Sequence, residues 1–260
     1  MDLQLQDKVV IVTGGSKGIG QAIVRSFLAE GCRVANVNRS VEEGQQLAAE
    51  YAAKGKECHF IQADLVNIQA CEHAVQKTIQ RFGRIDAVVN NAGVNDGVGL
   101  DAGPREFVKS LERNLVHYYA MVHYAREALI SSSGVVVNVG SKVSLTGQGG
   151  TSGYASAKGG INGLTREWAV EFAPHGVRVN TVLPAETWTP LYENWLKTMP
   201  DPAATKRAIE RKVPLGQRFT TSDEIADMVV FLASPRSAHT TGQIVVVDGG
   251  YTHLDRKCTE

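Results

Sequence analysis

Seven short apolar runs punctuate the chain, at Lys8–Thr13, Arg33–Val37, His59–Ala63, Ala87–Asn90, Val135–Val139, Arg178–Leu183 and Ile244–Val247. They lack a polar residue at every second position, the pattern of strands buried on both faces. Between them lie longer segments of helical period. Ile19–Glu30 closes on Gly31 at a C′ position, Val41–Lys54 is Ala-rich and ends near Gly55, and Tyr154–Phe172 stops before Pro174. Strands alternating with helices predict an α/β architecture, a doubly wound, seven-stranded parallel sheet covered on both faces. No Pro/Ser-rich linker, repeat or low-complexity tract divides the chain, so residues 1–260 read as a single domain. The one long irregular stretch, Pro184 to Pro214, is rich in Trp, Pro and Thr and reads as a mobile insertion.

Composition narrows the partners. Lys plus Arg and Asp plus Glu are equal at 27 each, which removes the electrostatic reason to expect nucleic acid or an anionic membrane. Cys32, Cys58, Cys71 and Cys258 are scattered, with no C-x-x-C pair and no His at metal-ligand spacing. Neither a disulfide framework nor a metal site is indicated, and a reducing compartment fits. The N-terminus, M-D-L-Q-L-Q-D-K, is polar, and no apolar run approaches the roughly 18 residues a bilayer span needs, so the expectation is a cytoplasmic protein.

Candidate chemistry begins where K-V-V-I-V-T runs into G-G-S-K-G-I-G and then a helix. In that strand–turn–helix setting Gly14, Gly18 and Gly20 let the backbone approach a pyrophosphate at the positive end of the helix; the bland alternative is a tight turn without a ligand. At the end of the second strand, V-A-N-V-N-R-S, an acidic residue would bind the ribose 2′-hydroxyl of NAD. Here Asn38 takes that place, Arg39 follows, and Lys17 can approach from the glycine loop. Two cations and no carboxylate favour the 2′-phosphate of NADP, with NAD possible; otherwise Arg39 stacks on the adenine and Lys17 is a solvated charge. Tyr154 and Lys158 stand one turn apart on one helix face. A tyrosine, ordinarily near pKa ~10, becomes usable as a base when an ammonium and an oxidised nicotinamide favour its phenolate.

The T-G-x-x-x-G-x-G spacing of Thr13–Gly20, Asp64 after the third strand, N-N-A-G at Asn90–Gly93, Tyr154-x-x-x-Lys158 and P-A-E-T-W-T at Pro184–Thr189 resemble, in order and spacing, the short-chain dehydrogenase/reductase family. The resemblance runs from Lys8 to about Tyr251 and implies a Rossmann-type fold. It implies a dinucleotide site formed by Gly14, Ser16, Lys17, Gly18, Ile19, Gly20, Asn38, Arg39, Asp64, Leu65, Asn91, Ala92, Gly93, Tyr154, Lys158, Pro184, Thr187 and Thr189. It also implies catalytic roles: Ser141 hydrogen-bonds the reacting oxygen, Tyr154 transfers its proton, Lys158 lowers the tyrosine pKa and holds the ribose hydroxyls, and Asn114 holds a relay water. The bland alternatives are a strand-end cap for Ser141, with Ser144 as a neighbouring hydroxyl, and a helix-surface amide for Asn114. Gly140, where the family often has serine, and Ala185, where it usually has glycine, depart from the pattern.

By the same resemblance, three loops enclose the substrate, and their residues here are polar and aromatic: Asn95, Asp96, Lys142, Gln148, Glu186 and Asn194, with Trp188, Tyr192 and Trp195. Directional partners beside aromatic walls suit a hydroxyl-rich ligand, although surface loops are polar anyway. Runs such as N-N-A-G-V-N-D-G-V-G-L-D-A-G and P-A-E-T-W-T-P-L-Y-E-N-W further resemble the bacterial L-fucose dehydrogenases within the family. That implies oxidation of an aldose's anomeric hydroxyl to a lactone, with Asn95, Asp96, Ser141, Lys142, Gln148, Tyr154, Glu186 and Trp188 against the sugar. The alternatives are an NADPH-dependent reductase of an apolar ketone and a non-catalytic nucleotide-binding regulator. The family also implies a homotetramer, with helices around Arg105–Leu129 and Tyr154–Phe172 pairing between subunits and the last helix and strand forming a second contact.

Overall fold

The structure, a computed structural model, describes residues 1–254, so Cys258 lies outside the described residues. All the predicted strands form: β1 (Val9–Thr13), β2 (Arg33–Asn38), β3 (Cys58–Gln62), β4 (Ala87–Asn90), β5 (Val135–Val139), β6 (Arg178–Pro184) and β7 (Ile244–Val247). They make one 7-stranded sheet in the order β3-β2-β1-β4-β5-β6-β7. Every pairing is parallel, with Ile11 opposite Ala35 on one side and Val88 on the other. The order reverses between β1 and β4, and a doubly wound sheet opens a crevice at the carboxyl ends of its strands at such a point.

The strand pattern has its reason in two cores. Ile11, Ala35, Val88, Val136 and Val179 point to the side covered by α3 (Ile68–Phe82), α5 (His117–Ser132) and α6 (Ser152–Phe172). Val10, Val12, Val34, Val89 and Val137 point to the opposite side, covered by α1 (Gly18–Ala29), α2 (Val41–Ala52) and α9 (Ser222–Ala233). A strand packed on both faces has no position to spare for a polar residue.

Two expectations need correction. The stretch from Pro184 to Pro214 is not irregular: it folds α7 (Pro190–Leu196) and α8 (Pro202–Glu210). Thr189 accepts from Tyr192 N at 3.2 Å and Asp201 accepts from Ala204 N at 2.8 Å, each capping a helix that opens with proline. Both helices are too short to leave a clear apolar period. The long helix expected around Arg105–Leu129 is α4 (Pro104–Leu111) followed by α5, joined by a π-helical turn over Glu112–Val116 that carries Asn114. Wide turns of this kind concentrate at functional sites. Among the described residues, no helix is long and apolar enough to cross a membrane.

Candidate active site

A cleft of about 1290 Å³ opens along the carboxyl ends of β1, β2, β4, β5 and β6. Its floor is built from loops stitched to one another. Thr13 Oγ1 accepts from Asn91 N at 2.9 Å and Ala92 N at 3.1 Å, while Asn91 Nδ2 donates to Thr13 O at 2.9 Å and Gly14 O at 3.3 Å. The glycine loop and the N-N-A-G loop thus form one unit. Gly14 has φ +67°, and a Cβ on Gly20 would lie 2.1 Å from Gly14 O, so neither position admits a side chain. Beneath the loop, Asn36 Nδ2 donates to the Ser16 hydroxyl at 3.3 Å, and Asn38 Nδ2 donates to Asn36 Oδ1 at 3.0 Å.

The cleft fits a dinucleotide on its own chemistry. The N-terminus of α1 lacks a side-chain cap, leaving its first amides for an anion. Asn38 Oδ1 and Thr187 Oγ1 are buried polar atoms without a partner, both on residues lining the cleft, and such groups carry a cost until something pairs with them. Every residue expected to hold the cofactor lines this cleft, from Gly14 and Ser16 to Thr187 and Thr189. Lys17, however, is ion-paired with Glu43, a wall residue that sequence reading missed, whereas exposed Arg39 has no ion pair among the described residues.

Ser141, Tyr154 and Lys158 line the same cleft. Tyr154 and Lys158 come from the first turns of α6, and Lys158 Nζ lies 5.6 Å from the Tyr154 ring centroid. Burial pushes the Tyr154 phenol up, and its hydrogen bond with Ser141 works in the opposite direction. Burial also brings the Lys158 ammonium down to about 7. Lys158 Nζ donates to Val139 O at 2.9 Å and to Tyr118 Oη at 3.1 Å. The Ser144 hydroxyl donates to Ser141 O at 2.8 Å, whereas the Ser141 hydroxyl, on the residue that lines the cleft, also caps the short turn after β5 by accepting from Val143 N at 3.4 Å. A Cβ on Gly140 would lie 2.3 Å from Leu183 Cδ2, so a side chain there would require Leu183 to move.

Asn114 does not line the cleft; it braces it from behind. Fully buried, it accepts from Val94 N at 2.7 Å and donates to Ser110 O at 3.1 Å. It is therefore not a helix-surface amide.

Of the residues expected against the substrate, Asn95, Ser141 and Tyr154 line the cleft, whereas Asp96, Lys142, Gln148, Glu186 and Trp188 do not. Asp96 is held by Ser110 Oγ at 2.9 Å and by Arg113 at 3.3 Å. Lys142 and Glu186 form a largely buried ion pair, Tyr192 Oη donates to Glu186 Oε2 at 2.5 Å, and Lys142 Nζ lies 4.3 Å over the Tyr251 ring. Trp188 packs edge-on against Phe219 with Lys206 Nζ 4.4 Å over its ring, and Gln148 is exposed. The wall instead receives Tyr192 and Asn194 from α7, and Arg113 and His117 from behind the N-N-A-G loop. Nothing in the motifs singles out His117 or Tyr118; the run N-L-V-H-Y-Y reads as ordinary helix.

A family model described as enoyl-(acyl carrier protein) reductase matches residues 14–252. The L-fucose dehydrogenase of Mus musculus is 35% identical over 255 residues, covering 97% of this chain and 92% of its own length. The levodione reductase of Leifsonia aquatica is also 35% identical, with 94% of each chain covered. Among solved structures, that of the Cj0485 dehydrogenase superposes with a TM-score of 0.93 at 44% identity over 98% of both chains. The ligand-free aldohexose dehydrogenase of Thermoplasma acidophilum does so with a TM-score of 0.89 at 28% identity over 98% of both.

Proposed function

The chain belongs to the short-chain dehydrogenase/reductase family and is an NAD(P)-dependent oxidoreductase, and from that premise we propose that it oxidises the anomeric hydroxyl of an aldose, L-fucose or a stereochemical relative, to the lactone. The observation that carries this reading is the polarity of the lining: Asn95, Asn194 and Tyr192 line the same cleft as Ser141 and Tyr154, and polar groups there suit hydroxyls better than an apolar ketone. The similarity to L-fucose and aldohexose dehydrogenases supports it.

The chain's own groups divide the work. Ser141 hydrogen-bonds the anomeric oxygen and orients it toward Tyr154. The Tyr154 phenolate accepts the hydroxyl proton as the C1–H bond breaks. Lys158, as its ammonium, favours that phenolate, and its remaining N–H would be available to the cofactor's ribose. Asn114 fixes the loop of Gly93 and Val94 behind the reacting centre. When bound, the nicotinamide supplies the hydride acceptor; Gly14 to Gly20, Asn38, Asp64 and Thr187 would hold the dinucleotide. We assign NADP as the preferred form, with NAD accepted. Arg39 carries that preference, because the charge of Lys17 is shared with Glu43. A four-subunit assembly belongs to the same reading, supported by the exposed Val108, Tyr119 and Val170 on α4, α5 and α6; a hydrodynamic mass of one 28.0 kDa chain would refute it.

Incubating the protein with NADP or NAD and a panel of L-fucose, L-galactose, D-arabinose and D-glucose tests the substrate. Reduced nicotinamide is expected with L-fucose and its stereochemical relatives, and Arg39→Ala should weaken NADP far more than NAD. Turnover of an apolar ketone with NADPH, and of no aldose, would overturn the assignment.

A further inference from the structure

We propose that Tyr118, a second tyrosine at the heart of the site, positions Lys158 and holds it in the charged form that Tyr154 requires. This rests on the reading that Lys158 serves Tyr154. Tyr118 is fully buried on α5, one turn beyond Asn114. Its hydroxyl carries a single hydrogen, which it gives to Val139 O at 2.9 Å. Its oxygen is then free to accept from Lys158 Nζ at 3.1 Å, while Lys158 also donates to Val139 O at 2.9 Å. The three groups close a triangle on the last residue of β5, two positions before Ser141. Two of the ammonium's three N–H donors are thereby fixed, and the third is left for the cleft.

The groups that face Lys158 make this contact decisive. Tyr154 lies on its own helix, Ser141 follows β5, and Asn114 Oδ1 approaches from the π turn, 3.1 Å from the place a Gly93 Cβ would take, itself 3.5 Å from Lys158 Nζ. His117, next to Tyr118, is pushed down to about 4 by burial, with the Lys158 charge adding to the effect, so it is neutral at working pH. Its Nε2 is engaged with Arg113 O at 3.0 Å. Burial holds the Tyr118 phenol well above its ordinary value, so it too remains neutral. No carboxylate forms an ion pair with Lys158 among the described residues. A buried ammonium in such surroundings depends on neutral oxygens aimed at it, and here there are two, Tyr118 Oη and Val139 O. Removing the hydroxyl should lower the Lys158 pKa, thin the population of its ammonium at neutral pH, and leave Tyr154 harder to deprotonate.

The test is Tyr118→Phe, which keeps the ring and its packing. In protein carrying ¹³Cε-lysine, the Lys158 signal is identified by its loss in Lys158→Met and titrated without substrate. The midpoint, near 7 in the wild type, should fall by about one unit in Tyr118→Phe. In L-fucose oxidation, the acidic limb of the rate–pH profile should move to higher pH by about half a unit or more. A purely structural tyrosine would lower the rate equally at all pH and leave the titration where it was; that result overturns the proposal. If Lys158→Met oxidises L-fucose as fast as the wild type, the role of Lys158 itself falls, an outcome distinct from an unchanged titration in Tyr118→Phe.

Discussion

Replacing Asn114 with alanine tests whether this residue braces the site. The side chain is inaccessible to solvent and makes two hydrogen bonds, accepting from Val94 N at 2.7 Å and donating to Ser110 O at 3.1 Å. Alanine deletes both and supplies nothing in return. Buried Ser110 O loses this donor and the amide's place is left unfilled, which together cost about 1–3 kcal/mol. Val94 lies nearer the surface, so its N–H can recover part of the loss from water, and about 1 kcal/mol suffices for it. The sum is about 2–4 kcal/mol, a large fraction of the roughly 5–15 kcal/mol that holds a domain together. Urea unfolding of wild type and Asn114→Ala without cofactor measures it, with Gln148→Ala as an exposed control expected within about 0.5 kcal/mol of wild type. Because the same bonds fix Gly93 and Val94 in the cleft wall, activity should fall as well. A loss below about 1 kcal/mol would refute the bracing role and return Asn114 to the relay function alone.

Three further outcomes follow from the geometry. Gly20→Ala places a methyl 2.1 Å from Gly14 O and 2.5 Å from Asn91 Nδ2; it should destabilise the fold by about 1–3 kcal/mol and weaken NADPH binding about tenfold or more, read by cofactor fluorescence. In a double-mutant cycle, Glu186→Gln and Lys142→Met should show a coupling of about 1–3 kcal/mol in unfolding; purely additive losses would mean that the pair does not join the loops. Lys158 sits at about 7 when folded, against about 10.4 for a free lysine, so between these values the unfolded chain binds the extra proton and the contribution of Lys158 to stability rises with pH. That rise should be absent in Lys158→Met, and an unchanged pH dependence in the variant would show that Lys158 is not desolvated.

Much of this site is written in local patterns. Strands such as Val9–Thr13 are legible because both faces are packed, and the glycine loop because its turn tolerates no Cβ at Gly20. Tyr154 and Lys158 are legible because helical spacing alone puts them together. What escaped depends on contacts between distant segments. Glu43 reaches Lys17 from α2, Tyr118 reaches Lys158 from α5, and Glu186 is taken up by Lys142 and Tyr192 rather than turned to the cleft. Helices α7 and α8 escaped for another reason: their evidence is in the caps Thr189 and Asp201 and the prolines after them, not in an apolar stripe. The capping box of Thr221 and Glu224 at the start of α9 is a signal of the same kind.

The central claim, that the groups around Tyr154 direct a hydride from an aldose's anomeric carbon to a nicotinamide, is tested most directly with L-fucose deuterated at C1. Incubated with the protein and NADP, it should yield lactone and reduced cofactor in equal amounts, with the deuterium on the nicotinamide ring, and Tyr154→Phe should abolish the transfer. Reduced cofactor without the label, or none with any aldose, would contradict the account.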